Sequence, residues 1–411
     1  MLTTEGAVLQ HPPNIFDNMS LLDDDIERIC DINMYKHIMR NRMIVSRIIH
    51  PVGQGAFYTE RIKTNGKTYN VVYDCGSENR KNPTSVLKQE IASYYTKGDT
   101  IDILFISHFD YDHINGINEL IKHTHKIKNI VVPLIEKQDF WFYDAENEAF
   151  SSFYNSLDNI AESVYRVKSA NENDAEIRFN DIRPIVLSEK ERGGFDIPNA
   201  TRLLFEKDFD WCYIPFNYDQ KTRLNKLKAE LAQLGLTENV LSCDWKDINE
   251  NLDKIKSAYK KVIHDGANKT SLILYSGGVG CDYRCRINHS KMRLCCCRPY
   301  CMLREEGCLY FGDNDLNQQN LLNDLQCKLG SLIERIGTIQ VPHHGAYKNF
   351  TNHVLSIFEY QTPILYFASF GKQNSYGHPS YKVVEDIEMY NHFVGVTEDR
   401  NCALVETIYL R

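Results

Sequence analysis

The 411-residue chain lacks the features that mark membrane-spanning, secreted and duplex-coating proteins. No apolar run approaches the ~20 residues that a helix needs to cross a bilayer. The first residues do not place an apolar segment after a basic one, so no secretory signal is visible and a cytoplasmic location is expected. The net charge is −8 and no long basic run occurs, which argues against salt-driven coating of duplex DNA. We therefore expect a soluble protein without a membrane partner.

Cysteine, in contrast, is plentiful. The chain has 13 cysteines, but it is long and shows no export signal, so reduced thiols or metal thiolates are expected rather than disulfides. With 43% hydrophobic residues, it can bury one large core or two moderate ones.

The pattern of strands and helices divides the chain into segments. Residues 1–43 form a predicted N-terminal appendage, and strands alternate with helices over 44–136 and 265–411, as in a layered α/β core. Within that core, Asn65-Gly66 is a strong hairpin-turn signal. Residues 137–264 show few clean strands and many charges, which favours an insertion or lid. A protein partner bound through these residues is one option. The sequence indicates no oligomeric state.

Four potential metal ligands fall within six residues of one another. Ser107-His-Phe-Asp-Tyr-Asp-His113 follows the apolar segment 101–106, which has the composition of a buried strand. Imidazole nitrogen and carboxylate oxygen are ligands of divalent cations. The alternative is a polar turn in which Asp112 caps the following helix.

Further polar residues follow other apolar strands. They are Asp74, Asp313, the pair His343 and His344, and His378. A single Gly-Asp or His-His is weak evidence because such pairs are common in turns. Their shared position after strands favours a common site.

The order of these motifs is similar to that of metallo-β-lactamase-fold hydrolases. The motifs are Val52-Gly-Gln-Gly55, Asp74-Cys-Gly76, Ser107–His113, Phe311-Gly-Asp313, Val341-Pro-His-His-Gly345 and Asn374-Ser-Tyr-Gly-His-Pro379. More narrowly, the chain resembles the hydrolase domain of ComEC-type competence (DNA-uptake) proteins, over about 44–136 and 265–409. The resemblance implies an α/β fold, a four-layer αββα metallo-β-lactamase sandwich with a long mid-chain insertion.

The resemblance also implies a dinuclear metal site. His108 and Asp110 would bind one ion, Asp112, His113 and His344 the other, and Asp313 would bridge both. Asp74 would form a hydrogen bond to a ligand histidine or to the backbone of its loop. Asp112, His343 and His378 are the predicted catalytic residues: His343 would contact a substrate oxygen, and His378 would contact a phosphate or donate a proton. The alternative for His378 is an ordinary turn residue before Pro379.

The expected cofactors are two divalent ions, zinc or manganese, with magnesium as a further option. Asp110 stands where many relatives have a histidine, which shifts the preference from zinc toward manganese or magnesium. One usual histidine ligand is not evident. Candidates for it are His123, His125, His264 and His289, of which His264 is the best placed; an ordinary surface histidine is the alternative.

A cysteine-rich basic loop is predicted at 281–308. Its spacing allows a tetrahedral structural zinc site, while reduced thiols or a redox role are the alternatives. The zinc candidates are Cys281, Cys285, Cys297 and Cys301. The loop also carries candidate nucleic-acid contacts, namely Arg284, Arg286, Lys291, Arg293 and Arg298. A merely solvated basic loop is the alternative.

The sequence thus predicts a soluble metal-dependent hydrolase. The favoured activity is that of a phosphodiesterase or nuclease that acts on nucleic acid or nucleotides through a metal-activated water. One alternative is hydrolysis of a small ester, such as a lactone, a thioester or choline phosphate. The other is a metal-stabilised binding or signalling module with little catalysis.

Overall fold

Two eight-stranded sheets form the centre of the structure, a computed structural model. It describes residues 43–78, 83–135, 140, 143, 150–170, 178–218, 221–236, 251–262, 271–279, 305–318, 320–358 and 363–410. The predicted appendage before Met43 lies outside these residues, as does the predicted cysteine-rich loop apart from residues 305–308. None of the described helices combines the length and apolarity needed to cross a membrane.

The first sheet has the strand order β16-β1-β2-β3-β4-β5-β6-β8. Its strands are β1 Met43–Ile49, β2 Phe57–Thr64, β3 Lys67–Cys75, β4 Thr100–Phe105, β5 Lys126–Pro133, β6 Ala161–Val167, β8 Gly193–Ile197 and β16 Leu404–Leu410. Strands β3 to β6 run parallel to one another. Their carboxyl ends therefore lie at one edge of the sheet.

The second sheet has the order β15-β14-β13-β12-β11-β10-β9-β7. Its strands are β7 Ile185–Val186, β9 Leu203–Leu204, β10 Trp211–Phe216, β11 Ile273–Gly278, β12 Gly307–Tyr310, β13 Ile336–Gln340, β14 Leu365–Ser369 and β15 His392–Val396. Strands β12 to β15 are parallel. Strand β11 is antiparallel to β12, so its first residues lie beside the carboxyl end of β12.

Helices cover the outer face of each sheet, and the predicted four-layer αββα sandwich is confirmed. The helices are α1 Pro83–Tyr94, α2 Tyr111–Ile114, α3 Ile117–His123, α4 Phe150–Ile160, α5 Lys221–Gln233, α6 Leu252–Val262, α7 Leu321–Leu329, α8 His353–Ile357 and α9 Tyr381–Glu388. One apolar core lies between the sheets. A second joins one sheet to α7, α8 and α9, and a third joins the other sheet to α1, α3 and α4.

The predicted turn at Asn65-Gly66 joins β2 to β3. Both residues have positive φ, 50° and 74°, as a two-residue type I′ turn requires. Asparagine and glycine tolerate this conformation better than other residues do. The hairpin prediction is confirmed.

A buried polar network ties the two sheets together. Arg47 on β1 donates to Glu60 on β2 at 2.7 Å and to Glu406 on β16 at 2.8 Å. From the opposite sheet, Tyr213 and Tyr310 donate to Glu60 at 2.9 and 3.0 Å. The charges of this network are buried but paired, which is how a sheet interface tolerates them.

The prediction of few strands in residues 137–264 is wrong for the described part of that segment. It contributes β6 and β8 to the first sheet and β7, β9 and β10 to the second. Trp211–Phe216 is buried throughout and pairs with β11 over its whole length. These residues extend both sheets instead of forming a separate lid. Helices α5 and α6 also lie in this segment and pack on each other.

Candidate metal centre

Loops from both sheets converge at the edge where the parallel strands end. Asp74 is the penultimate residue of β3, and the loop His108–His113 follows β4. From the second sheet, Asp313 follows β12, and His343 and His344 follow β13. The topology thus brings together side chains that are far apart in the sequence.

Asp74 organises the loop that follows β4. Its Oδ1 accepts from the Ser107 amide at 2.7 Å, and its Oδ2 accepts from the Ser107 hydroxyl at 2.6 Å. The same Oδ2 accepts from Nδ1 of His113 at 2.8 Å. Both oxygens are therefore engaged, although Asp74 lies within 4.8 Å of His108 and His113 in ligand-atom distance. Asp74 therefore orients the His113 imidazole, and neither of its oxygens is free to bind an ion.

Both carboxylate oxygens of Asp313 face histidines. Its Oδ1 is 3.5 Å from Nε2 of His113. Its Oδ2 is 3.8 Å from Nε2 of His108 and 3.7 Å from Nε2 of His343. Each oxygen of this carboxylate is therefore positioned to share a cation with a neighbouring imidazole.

Asp112 completes the side of the site that contains His113. Its Oδ2 is 3.3 Å from Nε2 of His344 and 4.0 Å from Nε2 of His113. These three residues place one ligand atom each within 4.8 Å of the others. On the other side, Asp110 Oδ2 is 3.8 Å from Nε2 of His108.

The distances between these nitrogen and oxygen atoms suit bonds to a shared divalent ion better than hydrogen bonds between the side chains. Nε2 of His108, Nε2 of His113 and Oδ1 of Asp313 are buried, and no described residue forms a hydrogen bond with them. The separations of 3.3–4.0 Å exceed a hydrogen bond of ~2.7–3.2 Å. Two ligands with bonds of ~2.0–2.2 Å to one ion can lie up to ~4.4 Å apart. Imidazole and carboxylate donors suit zinc and manganese, and the carboxylates also suit magnesium.

In the metal-free site, the proton of the His113 imidazolium offsets part of the negative charge of the surrounding carboxylates. Burial alone would lower the pKa of His113, but Asp313, Asp112 and Asp74 outweigh it and raise this pKa to about 10. Burial and the neighbouring His113 lower the pKa of His108 to about 3. Burial opposes ionisation of Asp313, but the surrounding imidazoles lower its pKa to about 2. The Asp313 carboxylate is therefore charged at neutral pH and attracts cations.

Backbone contacts fix the loop that carries Asp112 and His113. The amide of Ala56 donates to the Asp112 carbonyl at 3.2 Å. A Cβ at Gly76 would lie 2.3 Å from the carbonyl carbon of Asp112, and a Cβ at Gly55 would lie 2.6 Å from its oxygen. Glycine is required at both positions because the loop backbone packs directly on them.

The site's histidine pair has an unusual backbone. His343 and His344 have φ of 48° and 57°, in the left-handed region that non-glycine residues rarely adopt. Strain of this kind persists where surrounding contacts enforce it, and it is concentrated at functional sites. Here it directs two consecutive imidazoles into the same site.

His378 lies at the edge of the site, next to His343. The ring centroids of the two histidines are 5.6 Å apart, and Tyr376 stacks on His378 at 5.7 Å. Burial, and then the charges of His343 and His344, lower the pKa of His378 to about 4. A neutral imidazole here can form a hydrogen bond to a substrate oxygen.

Part of the chain matches a known protein family, and this part includes the loop His108–His113. Residues 62–197 match the model of the metallo-beta-lactamase superfamily. Members of the superfamily are mostly hydrolases. The matched segment includes His108–His113 but ends before Asp313, His343 and His344, and the narrower resemblance to ComEC-type domains stays a prediction.

No curated protein matches the chain. Among solved structures, 23 chains match. One is the metallo-beta-lactamase fold protein YhfI from Bacillus subtilis, which is 8% identical, with a TM-score of 0.35. The match covers 87% of this chain and 97% of that one.

The structure brings the predicted ligands together but leaves other candidates elsewhere. His108, Asp110, Asp112, His113, Asp313 and His344 surround one space, as their distances show. His123 interacts with Glu119 on α3, and His125 is exposed. Three further sets of candidates lie outside the described residues, namely His264, His289 and the cysteines and basic residues of 281–301.

Three serines that hydrogen-bond to the candidate ligand histidines had no role predicted from the sequence. Ser107 and Ser271 place their hydroxyls 2.9 and 3.2 Å from Nδ1 of His108. The Ser369 carbonyl accepts from Nδ1 of His344 at 2.8 Å. Spacing in the sequence carries no signal for such contacts, except that Ser107 directly precedes His108.

Proposed function

We propose that the protein is a two-metal phosphodiesterase that acts on nucleic acid or nucleotides. The observation that carries the proposal is the position of Asp313 between two sets of donors. Its two oxygens face different histidines, and no described residue forms a hydrogen bond with its buried Oδ1. When bound, two divalent ions at such a site lower the pKa of water and stabilise the attacking and leaving oxygens of a phosphoryl group.

The donor set favours phosphoryl chemistry with hard ions. Three carboxylates, Asp110, Asp112 and Asp313, contribute to the site together with imidazoles. Carboxylate-rich sites suit manganese and magnesium, which commonly accompany phosphate substrates. His378, neutral and half-buried at the edge of the site, would donate a hydrogen bond to a non-bridging phosphate oxygen.

Exposed tyrosines around the site favour a substrate that carries bases. Tyr111 is 58% exposed, Tyr347 61%, Tyr376 50% and Tyr381 80%. Tyr111 lies between two ligand residues, and Tyr376 stacks on His378. Tyr381 follows Ser380, whose amide donates to the Gly345 carbonyl at 2.9 Å. Aromatic side chains stack on the bases of single strands at ~1–3 kcal/mol per base.

The basic segment of the sequence adds a second feature. One short stretch of the sequence, in an otherwise acidic chain, contains Arg284, Arg286, Lys291, Arg293 and Arg298. Such a concentration of positive charge favours contact with phosphates.

The test is hydrolysis by the purified full-length protein with manganese, magnesium or zinc. Substrates are single-stranded DNA and RNA, cyclic nucleotides, and a panel with a lactone, a thioester and phosphocholine. We expect phosphodiester cleavage that Asp313→Asn abolishes and that Asp208→Asn, at an exposed position, leaves unchanged. Cleavage of the small esters alone, or undiminished activity of Asp313→Asn, would refute the proposal.

A further inference from the structure

The first metal position has only one histidine among the ligands predicted for it, whereas the second has two. We infer that His343 is the missing nitrogen ligand, so that each ion is held by two imidazoles and by carboxylate oxygens. The inference rests on the two-metal site of the proposed function. It replaces the predicted role of His343 as a substrate contact.

Distances place His343 on the His108 side of the site. Nε2 of His343 is 3.7 Å from Oδ2 of Asp313, and Nε2 of His108 is 3.8 Å from the same oxygen. Nε2 of His113 is 3.5 Å from the other oxygen, Oδ1. Asp313 therefore faces His108 and His343 with one oxygen and His113 with the other.

The hydrogen bonds of His343 fix its tautomer. Nδ1 of His343 is 3.0 Å from Oδ1 of Asn349. The amide nitrogen of Asn349 donates to the carbonyls of Asp313 and Asn314, at 3.3 and 3.4 Å, so its oxygen must face His343. Nδ1 of His343 then carries the proton, and the lone pair of Nε2 points toward Asp313.

The other three ligand histidines have the same arrangement. Nδ1 of His113 donates to Asp74, and Nδ1 of His344 donates to the Ser369 carbonyl. The hydroxyl of Ser107 donates to Asp74 and therefore accepts from Nδ1 of His108. Metal-binding histidines generally donate the other ring nitrogen in this way. Nδ1 of His378, in contrast, is buried and has no hydrogen-bond partner among the described residues.

The test is titration of the metal-free full-length protein with Mn²⁺, followed by electron paramagnetic resonance. Manganese is chosen because the thiolates of the cysteine-rich segment bind it weakly. We expect two Mn²⁺ per wild-type chain. His343→Ala should weaken one of the two sites by more than the ~10–100-fold that loss of a ligand's hydrogen-bond partner causes. His378→Ala, the matched control, should bind both ions as the wild type does.

Each outcome decides a different point. Wild-type affinity at both sites in His343→Ala would overturn the inference and leave the proposed function intact. Fewer than two Mn²⁺ on the wild type would contradict the two-metal site itself. If circular dichroism shows that His343→Ala is unfolded, X-ray absorption of the wild-type dimanganese form decides: an average of two imidazoles per ion supports the inference, and a lower average overturns it.

Discussion

Replacement of Asp74 by asparagine should weaken metal binding without any change in the ligands. Asp74 accepts hydrogen bonds from the Ser107 amide, the Ser107 hydroxyl and Nδ1 of His113, at 2.6–2.8 Å. An asparagine amide has only one acceptor atom, so at least one buried donor loses its partner. That loss costs ~1–3 kcal/mol. Loss of the negative charge also removes the group that makes the His113 imidazole a better ligand.

The expected effect on metal affinity is ~10–100-fold, which corresponds to ~1.4–2.7 kcal/mol. Competition against a chromophoric chelator measures it. Asp102→Asn is the matched control: Asp102 is also buried, lies on neighbouring β4 and accepts from the Asn70 amide at 2.8 Å, but it does not contact the site. Unchanged affinity in Asp74→Asn, or an equal loss in Asp102→Asn, would refute the role given to Asp74.

Three further predictions concern stability, loop packing and pH. Arg47→Ala should lower the free energy of unfolding by ~3–5 kcal/mol, because the buried carboxylates of Glu60 and Glu406 lose the positive charge that offsets theirs. Urea unfolding measures this loss, and a loss as small as that in the exposed Lys63→Ala would contradict the prediction. Gly76→Ala should reduce metal affinity at least ~10-fold, because the added Cβ would displace the loop His108–His113. Gly98→Ala is the control, since its added Cβ comes no closer than 3.9 Å to other atoms. Equal metal affinities in the two variants would contradict the packing of Gly76 on the loop. Metal binding should release protons at neutral pH, because the pKa of His113 is raised to about 10 in the metal-free site. Affinity should then rise up to ~10-fold per pH unit for each proton released, and calorimetry in buffers of different ionisation enthalpy that shows no proton release would contradict this.

The ligand loop and the turns could be predicted because their signals are local. Four ligand-type residues directly after an apolar strand, and Asn65-Gly66 between two strands, need no tertiary information. Asp313 and the histidine pair could be placed in the same site because each follows a strand, and parallel strands end at one edge of a sheet. The resemblance to metallo-β-lactamase-fold hydrolases added the layer order.

The strands of residues 161–216 could not be predicted from the same patterns. Ile185–Val186 and Leu203–Leu204 are too short for a periodic signal. Pro215 lies within β10, where a proline argues against a central strand. The structure tolerates it because β9 pairs with β10 at Tyr213 and not at Pro215, so no amide is needed there. Side-chain contacts such as that of His343 with Asn349 depend on rotamers, which sequence spacing does not determine.

Anomalous diffraction from crystals of the full-length protein soaked in Mn²⁺ tests the central claim most directly. The account predicts two manganese peaks on opposite sides of the Asp313 carboxylate, each ~2.0–2.6 Å from one of its oxygens. One peak should lie beside His113 and His344 and the other beside His108. A single peak, or peaks that do not contact Asp313, would contradict the account.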